Sequence, residues 1–165
     1  MLSKAVQNAI NEQINAELYS AYLYLSMSAH CAASNRPGSA SWMRVQAQEE
    51  LGHAMKFFGY VIDRGGQAIL KAVGQPPTEF KSLLDIFQQA LKHEQEVTRK
   101  IHKLYEIATK ENDYATQVEL QWFITEQVEE EKNAGEIVQQ LTMIGDQAAP
   151  LFVLDRHLGM RAGGK

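Results

Sequence analysis

Four glutamates, one histidine and one glutamine in this 165-residue chain stand where side chains shielded from water are expected. Helical steps of three and four residues link Ile10, Ile14, Glu17, Ala21, Tyr24 and Ser28 in one segment. They link Met43, Ala47, Glu50, Ala54, Phe57 and Val61 in the next. A third series runs through Leu83, Phe87, Ala90, Glu94, Val97, Ile101, Leu104 and Ala108. A fourth runs through Leu120, Phe123, Gln127, Glu130, Ala134, Ile137, Leu141 and Ile144. Stripes of this period face a core. Each is interrupted by Glu17, Glu50, Glu94, Gln127 or Glu130, and His53, three residues after Glu50, points to the same side of its helix. Counted from turns at Asn35 and Glu111, these stripe positions lie 15 to 19 residues away. In two level antiparallel helix pairs they therefore share a height to within about one helical turn.

A buried carboxylate without a counter-charge is costly or takes up a proton. Four together repel one another, and no Lys or Arg stands among the stripe positions. A pair of divalent cations compensates them, and oxygen ligands with one imidazole suit iron, manganese or zinc. The expected arrangement places Glu17, Glu50 and His53 on one ion. Glu50 bridges to the second, which takes Glu94 and Glu130 with Gln127 nearby, so that both ions can react with one oxygen molecule. A single inward Glu is more often salt-bridged than ligating; the registration of four acids with His53 favours metal.

Other groups carry less. Tyr24, one helical repeat from Glu17, reads equally as a core tyrosine with a bonded hydroxyl or as an electron donor beside the metals. Glu49, Glu126 and Glu129 adjoin stripe positions and Glu131 extends the run. A solvated face and an additional iron site, or a path to a mineral nucleus, are evenly matched readings there. His30, His93, His102 and His157 lack ligand spacing and read as structural or exposed, and Met27, Met55 and Met143 as packing residues.

The elements that must position these groups follow from the punctuation. Pro occurs only at 37, 76, 77 and 150. With the turn residues Ser34-Asn35-Arg36-Pro37-Gly38, Gly65-Gly66 to Pro77, Glu111-Asn112-Asp113 and Gly145 to Pro150, it leaves four long helices, about 4–33, 39–64, 81–110 and 114–144. A short helix follows at about 150–158. No alternating strand pattern competes. The fold class is all-α, with residues 1–165 as a single domain. Two short connections make antiparallel pairs, and the long middle one crosses the length of a four-helix bundle.

Composition agrees. With 45% hydrophobic and 22% charged residues the chain is an ordinary globular one. Cys31 is the sole cysteine, so no intrachain disulfide forms. The N-terminus lacks the features of a signal peptide, and no stretch approaches the ~18 apolar residues of a membrane span. The expectation is a soluble, cytoplasmic protein without a membrane partner. A formal charge of −4, with Arg99, Lys100 and Lys103 as the main basic cluster, argues against nucleic acid.

The segments Asn11-Glu12-Gln13-Ile14-Asn15-Ala16-Glu17-Leu18-Tyr19 and Ala47-Gln48-Glu49-Glu50-Leu51-Gly52-His53, then Glu94, then Leu120-Gln121-Trp122-Phe123-Ile124-Thr125-Glu126-Gln127-Val128-Glu129-Glu130-Glu131-Lys132 resemble the bacterial non-haem ferritins over essentially the full chain. The resemblance implies a ferritin-like bundle and a homo-oligomeric shell of twenty-four subunits. It implies a ferroxidase, oxidising Fe(II) with oxygen or hydrogen peroxide and storing a ferric mineral. By that resemblance Glu17, Glu50, His53, Glu94, Gln127 and Glu130 hold two irons per subunit. Glu49, Glu126 and Glu129, with Glu130, hold a third, and Tyr24 is the tyrosine beside the centre. Gln127-x-x-Glu130 replaces the second Glu-x-x-His of other di-iron bundles. Gly52 stands where a haem-binding relative would carry Met, so no haem is expected. The competing reading is a di-iron oxygenase or peroxidase that retains its metals.

Overall fold

The computed structural model describes residues 2–161; Met1 and 162–165, the ends of the expected domain, lie outside the described residues. Among the described residues there are five helices and no strand: α1 (Lys4–Ala33), α2 (Pro37–Asp63), α3 (Leu83–Lys110), α4 (Tyr114–Ile144) and α5 (Ala148–Leu158). None of them is long and apolar enough to cross a membrane.

Local chemistry sets the helix ends. Ser3, Ser82 and Asp113 accept hydrogen bonds from the backbone N–H groups of Val6, Asp85 and Thr116, three of the donors that a helix start leaves unpaired. Ser82 as cap explains why α3 begins at Leu83 rather than 81. Helices α2 and α5 begin earlier than expected because Pro37 and Pro150 lie in their first turns, where a missing N–H costs nothing. The two short turns each hold an asparagine in the left-handed region, Asn35 at φ 56° and Asn112 at φ 55°. Asparagine tolerates this conformation better than most residues.

Helices α1 and α2 pack as one pair and α3 and α4 as the other, and α1 also packs on α3. The connection between α2 and α3 is tied along α1. Gln67 N donates to the Gln7 side chain at 3.1 Å, and Asn11 bonds Gln67 O and Ile69 N at 3.1 and 2.9 Å. Farther along α1, Ser26 Oγ donates to Pro77 O at 2.5 Å. From Gln7 to Ser26 is about 28 Å of helix, so this segment spans most of the bundle's length and connects opposite ends.

The N-terminus of α2 has no capping side chain of its own. Asp155 of α5 supplies one, accepting from Gly38 N at 3.0 Å, Ser39 N at 2.8 Å and Ser39 Oγ at 2.6 Å. A Cβ on Gly38 would lie 1.7 Å from the Asp155 carbonyl oxygen, so only glycine permits this approach. Leu154 and Leu158 are buried beneath α5, while Phe152 and Val153 face outward.

The expected stripes are buried throughout, Ile144 alone being partly so. Two methionine expectations need correction. Met27 is fully buried, but Met55 is 54% and Met143 78% exposed. Both lie on the outer faces of their helices, away from the stripe positions, so neither packs in the core.

Candidate metal centre

The core is two apolar clusters separated by a polar layer. One contains Tyr24, Met27, Met43, Ala47, Phe87, Ala90, Ile137 and Leu141. The other contains Ile10, Ile14, Phe57, Val61, Val97, Ile101, Leu120 and Phe123. Along every long helix the chain passes from one cluster to the other through an acid: Glu17 in α1, Glu50 in α2, Glu94 in α3 and Glu130 in α4.

Three groups of potential ligand atoms converge there, each within 4.8 Å: Glu17 with Glu50 and His53, Glu50 with Glu94 and Glu130, and His53 with Glu126 and Glu130. Glu50 is common to the first two. His53 Nδ1 lies 3.4 Å from Glu50 Oε2, its ring held edge-on against Trp122 and Phe123. Tyr24 donates its hydroxyl hydrogen to Glu94. The Gln127 amide donates to the other Glu94 oxygen and to the Glu94 carbonyl, both at 3.2 Å.

Sequence reasoning missed two residues. Gln46, fully buried, donates to Glu50 and to Glu130 at 2.8 Å each, holding acids of different helices together. Gln13 donates to Glu17 at 2.7 Å. Both stand four residues before the acid they hold, the spacing that brings side chains together on one helix face. That was the available signal.

The acid layer is electrostatically strained. Among the described residues no Lys or Arg pairs with Glu17, Glu50, Glu94 or Glu130. Burial, then repulsion from Glu50, drives the Glu17 carboxyl well above the usual range, against the pull of Gln13. Burial, then Glu94 and Glu130, does the same to Glu50. Burial raises Glu94 against the hydrogen bonds from Tyr24 and Gln127. Glu130 is pushed up to about 8 by burial, with Glu94 and Glu49 adding repulsion. Glu17 Oε2 and Gln46 Oε1 are buried without a hydrogen-bond partner. Buried oxygens without partners, like-charged neighbours and one imidazole form a donor set that fits a pair of divalent cations.

The flanking acids separate. Glu126 joins His53 and Glu130. Glu129 is exposed and belongs to none of the three groups. Glu49 is bonded to Arg161 at 2.5 Å. His93 is buried, 2.7 Å from Ser20 Oγ, and burial pushes its imidazole down to about 4, so it is a neutral structural group. His102 and His157 are exposed and His30 is partly buried. Gly52 is exposed, with nothing within 4 Å of where a Cβ would stand.

Comparison with known proteins is consistent over the whole chain. Residues 7–144 match the family model of the ferritin-like domain. The bacterial non-heme ferritin of Staphylococcus aureus strain USA300 is 42% identical over 161 residues, 98% of this chain and 97% of that one. An engineered closed form of the Archaeoglobus fulgidus ferritin superposes with a TM-score of 0.98 at 49% identity, covering 99% of this chain and 100% of that one. The open-pore ferritin of the same archaeon gives 0.97 at 48% identity, covering 98% and 100%.

Proposed function

The chain belongs to the ferritin family, and from that premise we propose that it binds Fe(II) in the acid layer, oxidises it and stores it as a ferric mineral inside a homo-oligomeric shell of twenty-four copies in the cytoplasm. The observation that carries this reading is Glu50, shared between the Glu17–His53 group and the Glu94–Glu130 group in a layer that has no Lys or Arg partner among the described residues. One carboxylate bridging two Fe(II) lets them deliver two electrons together. Oxygen takes those two electrons and two protons and leaves as hydrogen peroxide; hydrogen peroxide takes two electrons and two protons and leaves as two waters. The protons are at hand, because buried carboxyls of the layer release the protons they hold when a cation binds.

The other residues serve that exchange. Gln46 holds Glu50 and Glu130 at one spacing across the helices. Gln127 and Tyr24 hold the two oxygens of Glu94, and Tyr24 is also placed to give an electron. His53 and Glu130 recur in the third group with Glu126, so an oxidised ion can pass from the paired position toward Glu126 and the exposed Glu129.

The test is iron loading of the assembled protein under air. The expected result is far more than two irons per chain in a particle of about twenty-four chains, by light scattering and metal analysis. An oxygenase that retains its metals would stop at two. The double change Glu50→Ala, Glu130→Ala should slow Fe(II) oxidation by at least about a hundredfold, in line with losing groups that position both reactants, with helicity intact by circular dichroism. An undiminished rate would sink the assignment.

A further inference from the structure

Arg161 stands three residues beyond the end of α5. Its side chain lies over the Trp42 ring, 4.4 Å from the centroid, and its Nη2 donates to Glu49 Oε2. Among the described residues its buried Nη1 has no hydrogen-bond partner. This placement depends on the rest of α5. Asp155 caps the start of α2, Gly38 admits the close backbone approach, and Leu154 and Leu158 are buried below. The anchored helix thus carries a permanent positive charge to the residue next to Glu50.

That charge divides the flanking acids. Glu49 feels the repulsion of both Glu126 and Glu129, which marks it as part of their cluster. The ligand atoms that gather within 4.8 Å there nevertheless come from His53, Glu126 and Glu130, without Glu49. Arg161 sets a guanidinium directly against the Glu49 carboxylate. A cation reaching Glu49 must displace Arg161 or sit beside a like charge. Displacement is local, since the Arg161 side chain can turn away while Asp155 keeps α5 in place.

We propose that Arg161 is a specificity-determining residue for cation binding: it withholds Glu49 from the outer acidic group, so that a third ion is held weakly by Glu126 and the shared Glu130 while His53 serves the first ion, and gains Glu49 only when Arg161 swings away. The assignment rests on the reading of the acid layer as a metal site. It makes the third position a transit point, because an ion that must compete with a tethered arginine is readily released.

Calorimetric titration of the assembled, metal-free protein with Zn(II), which undergoes no redox change, tests this. Wild type should bind two ions per chain tightly and a third weakly. Arg161→Gln should leave the first two unchanged and tighten the third by about two- to fivefold, the range for loss of one competing, partly exposed ion pair. Arg161→Lys, which keeps the charge, should stay closer to wild type. Adding Glu49→Gln to Arg161→Gln should abolish the gain. With the first two ions bound normally, an unchanged third affinity in Arg161→Gln, or a gain that survives Glu49→Gln, overturns the Arg161 assignment alone. Absence of the first two tight ions from wild type overturns the metal-site reading beneath it.

Discussion

The two apolar halves of the bundle and the acid layer between them are built from the same helices but respond to opposite forces. In the halves, side chains such as Phe87, Met27, Ile10 and Leu120 are removed from water completely, and every buried methylene adds to stability. In the layer, equally buried carboxyls have no Lys or Arg partner among the described residues and must either repel one another or hold protons, which opposes folding of the metal-free chain. The halves hold the layer together against its own repulsion.

The comparison can be broken most sharply in the apolar halves. Phe87→Ala removes a fully buried ring that packs edge-on against Trp42. It should cost about 3–5 kcal/mol, the usual range for emptying an aromatic core position, measured by denaturant unfolding of the metal-free protein. A loss well below this would mean that the halves are not what supports the layer.

A smaller effect of opposite sign is expected in the layer. Replacing Glu17 and Glu50 together by Met should stabilise the metal-free protein by about 1–4 kcal/mol, as apolar replacement of buried charge can, while removing the stabilisation that added Zn(II) gives to wild type. If the double variant unfolds more easily without metal, the layer is internally compensated and the contrast between the regions fails.

The smallest effect sharpens the comparison through pH. In the folded, metal-free chain Glu130 keeps its proton up to about 8, whereas unfolding returns it to the ordinary value of 4.5. Between these limits the native state binds more protons than the unfolded one, so stability falls as pH rises through the window. Glu17, Glu50 and Glu94 are displaced in the same direction and reinforce the slope. Thermal melts should give a Tm lower by about 2–4 °C at pH 8 than at pH 6 for each kcal/mol involved. Glu130→Gln should flatten the trend. Saturating Zn(II), which requires ionised carboxylates, should reverse it. A wild-type Tm that rises over this range without metal would contradict the strained-layer account.

The primary sequence determined a good deal. Helical period and proline placement marked the five helices to within two or three residues, because amphipathic spacing and the missing proline N–H act locally. The same period picked out Glu17, Glu50, Glu94 and Glu130 as misfits in apolar stripes, since helical position tells which side chains are buried and residue type tells which of them burial penalises. The tertiary structure decided what each misfit meets. Gln46 could be placed on the face of Glu50 from its spacing, but its bond to Glu130 exists only because α2 and α4 are packed together. Arg161 and Glu49 are 112 residues apart and meet because Asp155 seats α5 on the start of α2. Periodicity fixes which way a side chain faces; only packing fixes what it finds there, because electrostatics and hydrogen bonding act over a few ångströms of space, however far apart the partners stand along the chain.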